Sequence, residues 1–383
     1  METLQPTLKR GRDVWDQINM PKAEFLERVE KIKGQMQQRG IDVFLVYANS
    51  GDGYEAPCYF SNYIMKMPQG AIVAITRTGE VTLICEGFAR DLPGVKSVTW
   101  VEDIRSCDNA SKQTVAFLKE KKLIPSTIGV AGLEPSMPYE QFQFFLKSTE
   151  ACQLVHADDV IREMRMIKSQ REVDQIRRSS RIVSRIFNHL SQISFSLVNE
   201  KRLEAVMSRE AFLEGAEDVR ILIAKPREKN RALRPLGDVP LSANETMILY
   251  LAVEFERYWA EGIRTVLLEG NSFREPPVGV IKALYTRIIE TIKPGKMISH
   301  FCKETVTEIK ATHQDAIHDY GLGQGIGLSL QELPLLTEEE TNRFEEGMCL
   351  TLRLGIKNGE KGSMMTGNTI YLSKDGPEVL TQA

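Results

Sequence analysis

Two hydrophobic rhythms alternate along the first part of the chain. In PKAEFLERVEKIKGQMQQRG, residues Phe25, Val29, Ile32 and Met36 recur at helical spacing on one stripe, and Gly40 is the expected C-cap. IDVFLVY (Ile41 to Tyr47) reads as a buried strand. AIVAITRTGEVTLIC predicts two strands around a turn near Gly79. It is followed by the β-rich run VKSVTW, a helix in SKQTVAFLKEKKL, the strand STIGVAG, a helix near MPYEQFQFFLKS and the strand CQLVHA. This alternation of strands and helices predicts an α/β domain over residues 1–157.

DDVIREMRMIKSQREVDQIRRSSRIVSRIFNHL then holds a long helix that opens a second domain, residues 158–383. Within it Ser169 and Glu172 have capping-box spacing, ahead of Val173, Ile176, Val183, Phe187 and Leu190 on one face. EKRLEAVMSREAFLEG and PVGVIKALYTRIIETIKPGK predict two more amphipathic helices, and ETVTEIKATHQDAIHDY a third. β-rich runs lie between and after them: RILIA, TMILYLAV, EFERYWAEGIRTVLLEG, MCLTLRLGI and NTIYLS. The second domain is expected to be α+β. LTEEETNRFEE is expected to be a solvated helix face.

Composition narrows the possibilities. With 383 residues, two domains are expected from length alone. A formal net charge of −3, with 26% charged residues and no long block of one sign, shows no footprint for nucleic acid or for a membrane surface. The N-terminal METLQPTLKRGRDVWDQ lacks the apolar stretch of a secretory signal, and no window approaches the ~18 apolar residues of a membrane span. A cytoplasmic protein is expected, with a small molecule or another protein as partner. Its six cysteines are scattered, without a C-x-x-C pair, as suits reduced thiols.

GLGQGIGLSLQELP (Gly321 to Pro334) places glycine at every second position. A dinucleotide cradle is excluded, because Ile326 and Leu328 stand at the third-glycine positions of G-x-G-x-x-G. Alternate glycines before a strand point instead to a backbone that packs closely or approaches a ligand.

GQGIGLSLQELP resembles the G-H-G-I-G-L-x-x-H-E-x-P signature of the creatinase, aminopeptidase P and prolidase family, the pita-bread fold. RMIKSQREVDQIRRSSRI resembles that family's opening helix and IKPG (Ile292 to Gly295) its helix end. RYWAEGIRT resembles its Tyr-x-x-Asp-x-x-Arg-Thr strand, and EEGMCLTLRLGI its Gly-Met-x-x-Thr-x-Glu-Pro-Gly turn. These landmarks follow the family's order from Arg165 to Thr381, so the resemblance implies an α/β N-terminal domain and a pita-bread C-terminal domain.

The family's peptidases hold two divalent ions with Asp, Asp, His, Glu and Glu, because hard cations need clustered carboxylates. The resemblance puts Tyr250, Glu261, Gln324, Arg353 and Gly367 at those positions. A guanidinium ~4 Å from a dication repels it by roughly 8 kcal/mol at an effective dielectric near 20. No metal and no cofactor is therefore expected. Both signature histidines are glutamines (Gln324, Gln331), which cannot cycle protons near neutral pH. The family's other catalytic His falls near Leu233 or Arg234, and His156, His189, His300, His313 and His318 miss every motif position.

The implied pocket holds Arg234, Tyr250, Glu261, Arg264, Gln324, Gln331, Glu332 and Arg353, a lining that suits a zwitterion or a carboxylate. Arg353 is either an anion clamp or the partner of Glu261 in a plugged site. If catalysis survives, Glu261 is the expected base and Tyr250 the proton relay. DGYEAPCYFSNY (Asp52 to Tyr63) is expected to be a long loop; dimeric relatives imply that Tyr59, Asn62 and Tyr63 reach a partner subunit's site in a homodimer. The leading expectation is a metal-independent creatinase-like hydrolase acting at a C–N bond. A catalytically silent pseudo-peptidase is the alternative, and an Xaa-Pro metallopeptidase stands third.

Overall fold

The structure, a computed structural model, describes residues 14–51, 53–65, 69–190, 199–225, 232–242, 244–269, 272–274, 279–312, 316–317, 321–357 and 363–382. The chain forms two compact units, Met1–Met164 and Arg165–Ala383.

In the first unit, α1 (Lys22–Arg39) buries the expected stripe of Phe25, Val29, Ile32 and Met36, and Gly40 closes the helix at φ 67°. The strands β1 (Val43–Asn49), β2 (Gly70–Thr76), β3 (Val81–Glu86), β4 (Asp103–Cys107), β5 (Thr127–Ala131) and β6 (Gln153–His156) make one sheet in the order β4-β3-β2-β1-β5-β6. β2 runs antiparallel to both neighbours and every other pairing is parallel. The connecting helices are α2 (Glu55–Ser61), α3 (Leu92–Val98), α4 (Ala110–Glu120), α5 (Leu133–Ser136), α6 (Tyr139–Ser148) and α7 (Asp158–Met166). Tyr47, Ile72, Ile84, Phe117 and Phe145 meet in the core.

Two expectations fail in this unit. VKSVTW is not a strand: its first four residues close α3, which carries Pro in its first turn. DGYEAPCYFSNY is not a long loop. Its residues Glu55–Ser61 fold as α2, which buries Cys58, Tyr59 and Phe60.

The second unit begins with a break. α7 ends at Met166, and the expected long helix is α8 (Gln170–Leu190), which starts afresh after Ser169. The capping box is formed: the Glu172 N–H donates to Ser169 Oγ at 3.2 Å and the Ser169 N–H to Glu172 Oε2 at 3.0 Å. Then follow α9 (Glu200–Leu213), β7 (Asp218–Ala224), β8 (Glu245–Phe255), β9 (Tyr258–Glu269), β10 (Ser272–Arg274), α10 (Gly279–Glu290), α11 (Ile298–Thr312), β11 (Ala316–Ile317), β12 (Gly323–Gly325), β13 (Glu332–Leu335), β14 (Cys349–Lys357), β15 (Ser363–Ser373) and β16 (Gly376–Val379). LTEEETNRFEE is loop and turn with an isolated bridge at Arg343 rather than helix.

One sheet, β13-β12-β14-β15-β9-β8-β7, organises this unit, with β10 pairing with β9, β11 with β14 and β16 with β15. Side chains alternate across it. Met247, Leu249, Leu251 and Val253 of β8 pack with α8 and α9, and Leu350, Leu352 and Leu354 of β14 pack with α10 and α11. With the helices all on that side, residues of the opposite parity, including Tyr250, Glu261, Thr351 and Arg353, share the other face. Among the described residues no helix is long and apolar enough to cross a membrane, and all six cysteines are free thiols.

Candidate functional site

Strand register alone gathers the site. Tyr250 lies opposite Ile263, Ile263 opposite Gly367, and Gly367 opposite Arg353, while Gln324 lies opposite Thr351. Antiparallel partners share a face, and Glu261 and Ile263 share one through the two-residue period. All five positions implied by the signature resemblance therefore face the same way.

The alternate glycines make this register possible. At Gly323, φ is 141° and a Cβ would collide with the Thr351 carbonyl oxygen; at Gly325 a Cβ would collide with the Leu333 carbonyl oxygen. Only glycine permits both approaches, so the stretch serves close packing of β12 between β13 and β14.

Glu261 is the hub. Arg353 grips its carboxylate side-on, Nε to Oε1 at 2.8 Å and Nη2 to Oε2 at 3.0 Å. The Tyr250 hydroxyl donates to Oε2 at 2.9 Å, and Arg353 Nη1 reaches the Gln324 amide oxygen at 3.4 Å. Glu261 is 1% exposed and the Arg353 side chain 13%. Burial works against the Arg353 charge, but the Glu261 carboxylate outweighs it and the guanidinium pKa is raised. Burial, reinforced by that same carboxylate, pushes the Tyr250 hydroxyl well above its ordinary value. At neutral pH the phenol is a donor and the guanidinium a fixed cation.

The other expected site residues part company. Arg264 lies opposite Leu249 on the helix-covered face of β9, over the Phe187 ring, and donates to the carbonyls of Ile263, Gly367 and Thr381 and to Asn368 Oδ1. It holds strands together from behind rather than lining the pocket. Arg234 grips Glu200 at 2.7 and 3.0 Å. Glu200, fully buried, also pairs with Lys225 at 3.3 Å and accepts the Gly237 N–H at 2.9 Å. Desolvation opposes its charge, but these partners hold its carboxyl at about 2.

Gln331 is exposed on the bend that leads into β13. Glu332 is buried between Arg165 at 2.5 Å and Lys168 at 3.1 Å, and these cations outweigh desolvation and lower its pKa. It is a brace, not a lining residue. In the first unit, Asn62 and Tyr63 are 7% and 8% exposed, and Asn62 caps α2 while its amide donates to the Val98 carbonyl at 2.9 Å. Their own domain largely encloses them. His156 faces Glu134 and His189 faces Glu210, while His313 and His318 lie outside the described residues.

Sequence reasoning passed over Thr369 and Thr381. Thr369 Oγ1 accepts the Glu261 N–H at 2.8 Å and donates to the Glu261 carbonyl at 3.0 Å, and Thr381 Oγ1 reaches that carbonyl at 3.2 Å. The signal was available for one of them: Thr369 follows Gly367 by one strand period.

Residues 174–374 match the family described as Metallopeptidase family M24, and residues 28–167 match the Creatinase/Prolidase N-terminal domain. The chain belongs to metallopeptidase family M24. It is 23% identical over 368 residues to an Xaa-Pro dipeptidase of Pyrococcus horikoshii, an alignment that covers 93% of this chain and 97% of that one. In fold it is similar to the X-Pro aminopeptidase from Thermotoga maritima MSB8 (TM-score 0.79, 21% identity, 93% and 98% of the two chains). It is also similar to the N-terminal domain of FACT complex subunit SPT16 from chickpea (TM-score 0.69, 15% identity, 94% and 96%).

The M24 fold implies a pair of divalent ions, and the donors gathered here do not fit one. They comprise one carboxylate, one amide oxygen and one phenol. Both carboxylate oxygens are engaged by Arg353 and Tyr250. At Gly367 a Cβ would sit 3.2 Å from the Leu352 carbonyl oxygen and 3.3 Å from Ile263 Cβ, so the position supplies no donor and a side chain there would need its neighbours to give way. Among the described residues no group of three or more His, Cys, Asp or Glu is placed to hold a metal.

Proposed function

We propose that this M24-family chain works without a metal pair, and that its pocket binds a small polar or zwitterionic molecule rather than hydrolysing Xaa-Pro peptides. The observation that carries this reading is the side-on Arg353–Glu261 pair, 2.8 and 3.0 Å, on the face where a cation cage would need free carboxylates. A base must be free to take a proton, and Glu261 has both oxygens occupied. That weighs for the silent pseudo-peptidase over the creatinase-like C–N hydrolase that the sequence suggested first. The SPT16 neighbour, described by membership of a complex, supports a binding role for the fold. The homodimer implied by the resemblance is part of the same proposal, and sedimentation velocity at micromolar concentration tests it.

A metallopeptidase is the second reading, favoured by near full-length similarity to Xaa-Pro dipeptidases. One experiment separates the two: elemental analysis after dialysis against manganese, with a Gly-Pro cleavage assay on the same sample. Stoichiometric manganese with turnover establishes the second reading and defeats the first. An empty, inactive protein that still binds small carboxylates or amino acids by calorimetry supports the first.

A further inference from the structure

The acceptors around Arg353 are held in place by groups other than Arg353. Gln324 commits its amide nitrogen to the Leu330 carbonyl at 2.9 Å, which fixes its oxygen toward the guanidinium. The Tyr250 hydroxyl steadies the Glu261 carboxylate, and Thr369 and Thr381 pin its backbone on β9. The result is a set of acceptors, buried and preorganised by the sheet, with a side chain from β14 inserted among them.

We infer that these acceptors form a seat for a planar N–H cation, which Arg353 fills from within, and that the emptied seat takes a small guanidinium or amidinium in preference to a divalent metal ion. The inference rests on the metal-free reading above. Its chemistry differs from a metal cage in two ways. A carboxylate approached side-on matches the two parallel N–H groups of a guanidinium or amidinium, whereas one carboxylate and one amide supply too little anionic oxygen for a dication. A guanidinium is also more weakly hydrated than an ammonium, so it enters a site 1% exposed at lower desolvation cost. In the intact chain Arg353 excludes such molecules.

The test empties the seat with Arg353→Ala and titrates wild type and variant with methylguanidinium, acetamidinium, methylammonium and manganese at millimolar concentration, read by melting temperature and calorimetry. The expected result is a saturable rise of a few degrees in the variant with the two planar cations, a smaller response to methylammonium, and none in wild type. Arg353→Ala combined with Glu261→Gln should lose the response. A folded variant that ignores the planar cations, or prefers manganese or methylammonium, overturns the inference. Should Arg353→Ala not fold alone, its refolding yield with and without methylguanidinium is compared, and equal yields overturn it. Wild type holding two manganese ions would defeat both this seat and the metal-free reading; an empty wild type with an unresponsive variant defeats the seat alone.

Discussion

Replacing Arg353 with Met keeps most of the side chain's length and apolar bulk while deleting the cation that neutralises Glu261. In the native pair the carboxylate is 2% exposed and accepts two guanidinium N–H groups. Stranding a buried charge in this way costs roughly 3–5 kcal/mol. The Tyr250 hydrogen bond survives and limits the damage. The second unit spans Arg165–Ala383, which is 383 − 165 + 1 = 219 residues. For a domain of that size each kcal/mol moves the melting temperature by about 2–4 °C, so the expected loss is roughly 6–20 °C. Adding Glu261→Gln removes the stranded charge and should recover most of the loss. Scanning calorimetry on wild type, both single mutants and the double mutant closes the cycle. If Arg353→Met melts within a degree of wild type, or the double mutant is no more stable than the single, the ion pair does not hold this face together and the reasoning fails.

Tyr250→Phe deletes a hydrogen bond to a charged acceptor inside the sheet and should cost roughly 1.5–3 kcal/mol in urea unfolding; an unchanged midpoint would show that the hydroxyl is idle. Gly325→Ala sets a methyl group against the Leu333 carbonyl and should destabilise by roughly 1–3 kcal/mol or more, and an equally stable variant would contradict the packing account of the glycine stretch. Glu200, with its folded pKa depressed to about 2 from 4.5, contributes stability above pH 4.5 that disappears as pH falls toward 2. Glu200→Gln should therefore be less stable at neutral pH and show a shallower loss across that window, and parallel pH curves for the two proteins would refute the assignment.

Helical stripes, strand runs, the capping box and the glycine stretch were legible in the chain because each reflects a local period or a local steric demand. Phe25, Val29, Ile32 and Met36 needed only a 3.6-residue repeat, and Gly323 and Gly325 only the absence of a Cβ. The union of Tyr250, Glu261, Gln324 and Arg353 was legible too, through a resemblance that carries register information no single segment contains. Even the exclusion of Arg264 lay in plain parity, since residues three apart on a strand face opposite sides.

The remainder was decided in three dimensions. Nothing near Arg234 announces Glu200, 34 residues earlier, and nothing near Glu332 announces Arg165 and Lys168, more than 160 residues away. DGYEAPCYFSNY mixes polar and aromatic residues without a clear period, and burial of Cys58, Tyr59 and Phe60 accompanies the helix at Glu55–Ser61. A charged or aromatic side chain carries the same local signal whether it is exposed, lines a pocket or is neutralised in a core. Which of these it does depends on partners brought close only by folding, because desolvation and charge pairing act through space and not along the chain.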